Sequence, residues 1–206
     1  MSASTQIRKY DPKTSVVFLK TNESFGGLSN MAPGFPLLVN RCQIRTTEAL
    51  YQACRFPAKP EIQEMIIQEK SPMTAKMKSK PFRKDTRADW IDVRVEIMKW
   101  CLRVKLAQNW EKFGNLLLST GDHPIVEKKV RRQDFWGAKE MPDGSLVGQN
   151  VLGRLLMDLR ERLKGETTAA LLTVEPLSIP DFLLLGSLID QVTSRDNAEE
   201  AQKSLF

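Results

Sequence analysis

Glu48 and Gln52 stand four residues apart in "TTEALYQACRFP" (46–57), with Tyr51 beside them. Residues four apart share one face of a helix, so the carboxylate and the amide point the same way. Glu48 falls in the first turn, where its charge favours the helix dipole. A carboxyl group at a helix end can also be reached by a substrate and can give or take a proton. Lys105 is the second candidate. Ile91, Val95, Met98 and Leu102 follow 4-3-4 spacing and predict one buried stripe of a long helix. The next position on that stripe is Lys105. Its ammonium either snorkels to solvent on its aliphatic stem or is buried and needs an anionic partner or ligand, or a lowered pKa. The third candidate is "RRQDFWGAKEMPDGSLVGQN" (131–150). Trp136 precedes Gly137, with Arg131 and Arg132 upstream, and an exposed aromatic in that setting can stack on a base. Gly144, Gly148 and Gly153 make neither GxGxxG nor a Walker pattern. Residues 148–150 nevertheless open a helix, whose first N–H groups could hold phosphate.

The elements that must position these residues are legible in part. "SVVFLK" (15–20) has the content of a short strand. The Gly, Pro, Ser and Asn of 23–36 make a loop, and 36–46 reads as a hairpin turning near Asn40. Helices are expected at 46–56 behind a threonine cap, at 60–70 with proline in its first turn, and at 71–80. Longer or later ones are expected at 87–109, 110–120 and 148–164, with Gly121 and Gly165 as stops. Residues 121–147 read as a loop, 1–15 as a flexible arm, and 166–206 as a C-terminal helical appendage with an apolar helix-like piece over 180–193.

The totals bound the function. A chain of 206 residues fits one domain with an appendage and can bury a core. Hydrophobic residues at 41% and charged residues at 27% are ordinary globular values. Three cysteines, Cys42, Cys54 and Cys101, are widely spaced and suggest neither a disulfide framework nor zinc. His123 is the only histidine, which excludes a His-rich metal centre. No apolar run approaches the ~20 residues that span a bilayer, and the polar start lacks a secretion signal's apolar core, so a cytoplasmic protein is expected. The net charge of +6 favours polyanionic partners. It is partly local, in "KSKPFRK" (78–84) and "EKKVRR" (127–132), either of which can also be an ordinary solvated surface.

The ordered motifs "FGGLSNMAPGF", "TTEALYQACRFP", "SPMTAKM", "LRVKLAQN", "LLLSTGDHPIVE", "FWG" and "GQNVLGRLLMDLRERL" resemble those of NADAR, or YbiA-like, proteins over residues 16–164. The resemblance implies a mainly α fold with a small N-terminal β element. It also implies cleavage of N-glycosidic bonds to ribose. Some members serve riboflavin biosynthesis on ribosylated pyrimidines. Others are antitoxins that remove the ADP-ribose which DarT-type toxins attach to guanine in DNA. The riboflavin-linked pattern has an acidic residue directly after Trp-Gly. Here that position is Ala138, followed by Lys139, so the chain looks more like the antitoxin branch. Asn30, Glu48, Trp90, Lys105, Trp136, Gly137 and Asn150 carry over as site residues, with Lys76 at a less regular position.

On that resemblance the expected activity is hydrolysis of ADP-ribose from guanine in DNA. The rivals are a glycosidase on ribosylaminopyrimidines and a non-catalytic module that binds ADP-ribose or the toxin. Breaking the bond builds an oxocarbenium-like charge, and the base leaves with a proton. Glu48, beside Gln52, is the acid/base candidate. Asp89, Glu127 and Asp143 are possible second carboxylates. Lys105 or Lys139 offers an amine for covalent attack, and direct attack by water stays open beside it. Gln52, Trp136 and Trp90 would contact the ligand. Gly137 would let the backbone come close to it, Asn30 and Asn150 would bond ribose or phosphate, and Arg131 and Arg132 would meet DNA. The expected partners are ADP-ribosylated DNA and a DarT-type transferase, and the scheme needs no metal or other cofactor.

Overall fold

The computed structural model describes residues 6–130 and 135–194. In chain order it begins with β1 (Arg8–Tyr10), β2 (Val16–Phe18), β3 (Leu37–Val39) and β4 (Cys42–Ile44). Five helices follow: α1 (Thr47–Ala53), α2 (Pro60–Gln68), α3 (Pro72–Ser79), α4 (Trp90–Gln108) and α5 (Trp110–Leu118). Then come β5 (Ile125–Lys129), β6 (Ala138–Glu140), β7 (Leu146–Gly148), α6 (Val151–Gly165) and α7 (Thr168–Leu171). The last described elements are four two-residue strands: β8 (Thr173–Val174), β9 (Leu183–Leu184), β10 (Ser187–Leu188) and β11 (Val192–Thr193).

The expectation of a mainly α fold is overturned. Among the described residues seven α-helices and two 3-10 turns bring the helical share to 44%, strands make 17%, and a five-stranded mixed sheet makes the fold α/β. β2 falls within the strand expected at 15–20, but the other four strands of the sheet lie mostly where a loop and an arm were expected. Residues 125–129, 138–140 and 146–148 supply β5, β6 and β7, and residues 8–10 supply β1. Most are three residues long, too short for a period of two to register in a sequence window.

The chain forms two units. The first comprises residues 1–32 and 111–166. Its sheet has the order β1-β7-β6-β5-β2. β1, β7 and β6 pair antiparallel, while β6–β5 and β5–β2 are parallel. Ile125, Val126, Ala138 and Leu146 are buried, and α6 packs on β5. Gly153 permits that approach, because a Cβ there would stand 2.1 Å from the carbonyl oxygen of Ile125.

The second unit comprises residues 33–110 and 167–206. Local chemistry sets its helix starts. The Thr46 and Ser71 hydroxyls accept from the amides of Ala49 and Thr74, and α2 opens on Pro60. Asn40 and Arg41, both at positive φ (51° and 59°), turn β3 into β4. Along α4 the expected stripe is buried at Met98, Leu102 and Lys105, but Ile91 is exposed. The helix enters the core only from Ile97 onward.

Residues 180–193 are not a helix. Leu185 and Gly186 take positive φ (51° and 82°) and turn β9 into β10, while β11 pairs with β8. The segment is held inside the second unit. Trp100 Nε1 donates to the Glu175 carbonyl at 3.0 Å, and Phe182 meets the Trp100 ring edge-on. The Gln63 amide donates to the Leu183 carbonyl at 2.9 Å and accepts from Leu185 N. Among the described residues no helix is long and apolar enough to cross a membrane.

Candidate active site

The second unit gathers a polar chain along α1. Glu48 is 5% exposed, and its Oε1 accepts from Gln52 Nε2 at 2.9 Å. The same oxygen lies 3.5 Å from Lys76 Nζ on α3. Gln52 Oε1 in turn accepts from Arg55 Nη1 at 2.9 Å, and Arg55 Nη2 donates to Thr86 Oγ1 at 3.1 Å. The Arg55 guanidinium sits 5.3 Å from the Trp90 ring centroid, a cation–π distance. Trp90 also meets the Tyr51 ring at 5.1 Å. Bidentate bonds from Arg87 to Asp89 (2.6 and 2.9 Å) fix the turn before α4. Asp89 is therefore already engaged, and the Arg87 hydrogen bond holds its carboxyl below the usual range.

Burial raises the pKa of two neighbouring acids. Burial, then Glu48 and Cys101, push the Tyr51 phenol well up. The Cys101 thiol is raised by burial, then by the neighbouring Cys54 thiol and by Glu48. Cys101 is thus within electrostatic reach of Glu48. Lys105 lies one turn further along α4 on the same face. It is fully buried, so the snorkelling alternative fails, and its Nζ lies 4.4 Å from the Phe35 ring centroid.

Asn30, Trp136, Gly137, Lys139 and Asn150 belong to the first unit. Asn30 is buried and Trp136 half-buried, its ring edge-on to Phe135 at 5.0 Å. Lys139 is exposed on β6. Two of the expected ligand contacts are taken by the protein itself. Asn150 is fully buried, donates from Nδ2 to the Ile125 carbonyl at 2.8 Å and accepts on Oδ1 from Glu127 N at 3.2 Å. The first N–H groups of α6, from Asn150, Val151 and Leu152, donate to the carbonyls of Gly137, Phe135 and Trp136. They do not await phosphate. Gly137 lies close against β5, since a Cβ there would lie 2.2 Å from the Glu127 carbonyl oxygen. Glu127 is paired with Lys129 at 2.6 Å and Asp143 with Lys9 at 2.8 Å. Arg131 and Arg132 lie outside the described residues.

Sequence reasoning missed Arg55, Thr86 and Phe35. Arg55 follows Gln52 by three residues, a spacing that places both on one helical face, so it was within reach. Phe35, in a loop of glycine and proline, carried no such signal.

An α/β protein with a nearly buried carboxylate, held by an amide and a lysine beside two aromatic rings, is the class that fold and site define. A family model described as NADAR domain matches residues 17–164, and the chain belongs to that family. N-glycosidase YbiA of Escherichia coli is 33% identical over 153 residues, which is 74% of this chain and 91% of that protein. A riboflavin biosynthesis protein of Vibrio vulnificus is 32% identical over 160 residues and 75% of this chain. The chain spans 41% of that protein's length. The NMR structure of Escherichia coli YbiA superposes with a TM-score of 0.61 at 31% identity, covering 80% of this chain and 94% of the other.

Proposed function

We propose that the protein is an N-glycosidase that hydrolyses the bond between C1′ of ADP-ribose and guanine in DNA. The observation that carries the reaction class is Glu48, nearly buried, with Oε1 fixed by Gln52 and Lys76. In the reaction the C1′–N bond breaks with its electron pair going to the base, and the base takes up a proton. Water oxygen bonds to C1′ and loses a proton. Glu48 is the group that carries the proton between them. The partly exposed Trp90 ring, backed by Tyr51, offers an aromatic surface to a flat ligand, and Lys76, 45% exposed, can meet its phosphates. Ala138 and Lys139, where the riboflavin-linked pattern has an acid, support the ADP-ribosyl substrate over a small pyrimidine. An antitoxin role against a DarT-type transferase follows from that substrate.

A second reading is a glycosidase on ribosylaminopyrimidines. It is favoured by relatives of Vibrio vulnificus and maize named riboflavin biosynthesis proteins. The deciding experiment incubates the purified protein with an oligonucleotide carrying ADP-ribosylated guanine and follows its mass. A shift to the unmodified mass, lost in Glu48→Gln, supports the first reading. An unchanged oligonucleotide beside a consumed ribosylaminopyrimidine replaces it with the second.

A further inference from the structure

Residues 76–87, "KMKSKPFRKDTR", hold six cationic side chains against one carboxylate. That is +5 of the chain's net +6, so the positive excess is concentrated on α3 and the 3-10 turn Lys80–Asp85 that follows it. Three of the six are paired: Lys76 with Glu48, Lys78 with Glu69, and Arg87 with Asp89. The other three, Lys80, Arg83 and Lys84, are exposed, and among the described residues no carboxylate pairs with them. Arg83 is also near enough to Arg55 for its charge, after burial, to lower the Arg55 pKa. Like charges gathered without an acid between them stabilise a bound polyanion rather than the free fold.

This surface is continuous with the candidate site. Lys76 touches Glu48, and the Arg87 amide donates to the Arg55 carbonyl at 2.9 Å. Met73 and Met77, four apart on α3, are 57% and 58% exposed and add apolar contact of the kind sugars and bases use.

We infer that Lys80, Arg83 and Lys84 form a nucleic-acid contact that grips the phosphodiester backbone of the strand whose modified base lies at Glu48. The inference rests on the reading of the substrate as ADP-ribosylated DNA. It makes the protein a reader of the polymer and not only of the nucleotide.

The test is anisotropy of a labelled, unmodified single-stranded oligodeoxynucleotide at several salt concentrations, which requires no cleavage. Each phosphate neutralised on a single strand contributes about 0.7 to the slope of log affinity against log salt. The triple variant Lys80→Gln, Arg83→Gln, Lys84→Gln therefore flattens the slope by about 2. A control that removes the same charge elsewhere, Lys13→Gln, Arg45→Gln, Lys70→Gln, leaves it near the wild-type value. Equal losses in both variants overturn the inference, as does a wild type without salt-dependent binding. Lost affinity for free ADP-ribose with intact oligonucleotide binding also overturns it, since the cations would then serve the pyrophosphate. Strand binding that follows the triple variant while the ADP-ribosylated base stays uncleaved upholds the surface and rejects the substrate reading instead.

Discussion

Gln52 donates a 2.9 Å hydrogen bond to Oε1 of Glu48 across one turn of α1, and its own oxygen accepts from Arg55. The amide fixes the carboxylate and is itself fixed. Loss of a positioned acid/base costs about 10²–10⁴-fold in rate, so Glu48→Gln should lower kcat by that range. Gln52→Leu keeps the shape but removes one hydrogen bond to a charged group, a loss of about tenfold. Steady-state kinetics on the modified oligonucleotide check both, and full activity of Glu48→Gln would remove Glu48 from the reaction.

Lys105 lies fully buried against Phe35. Lys105→Met keeps most of the volume but deletes the ammonium, and removing one member of a buried polar contact destabilises because its partner is left uncompensated. The urea midpoint should fall. Activity should fall roughly 10–100-fold if the ammonium bonds substrate, the value of a charged hydrogen bond. A lower midpoint with unchanged specific activity would make the lysine purely structural.

Asn150 sits at φ 49° and bonds the backbone of Ile125 and Glu127. Asn150→Gly keeps the left-handed backbone accessible and deletes both bonds. Two buried groups left unsatisfied cost about 2–4 kcal/mol, read as a lower urea midpoint. A ligand role would show the opposite pattern, with stability kept and substrate affinity lost.

Gly137→Ala tests the same strand from the other side. The added Cβ would meet the Glu127 carbonyl at 2.2 Å and Lys129 Cγ at 2.8 Å. Backbone must shift, at a cost of about 1–3 kcal/mol. Thermal unfolding should therefore occur several degrees lower, and an unchanged Tm would show that β5 yields freely.

Lys9 bonds Asp143 at 2.8 Å and ties β1 beside β7. The Lys9 hydrogen bond, then those from Ser145, hold the Asp143 carboxyl well below the usual range. A depressed carboxyl contributes stability above its unfolded pKa and loses it as pH falls through the folded one. Wild type and Asp143→Asn should thus differ in amide exchange of β1 at neutral pH and converge in strong acid. The difference is small, because the pair is exposed.

The parts of this protein written locally were legible. Thr46, Ser71 and Pro60 set helix starts through contacts within three or four residues, Asn40 marks its turn, and the Glu48–Gln52 pair follows from helical spacing alone. Those residues and the ordered motifs sufficed for the family. Apart from β2, the five-stranded sheet was not legible. It joins residues 8–18 to 125–148, and three-residue strands acquire their identity only from the neighbours they pair with. For the same reason the sequence could not tell that Asn150 spends its amide on Ile125 and Glu127, or that a phenylalanine in a proline-rich loop covers Lys105. Side-chain type and spacing determine what a residue can bond; only the tertiary structure decides whether the bond is already made within the chain or left for a ligand.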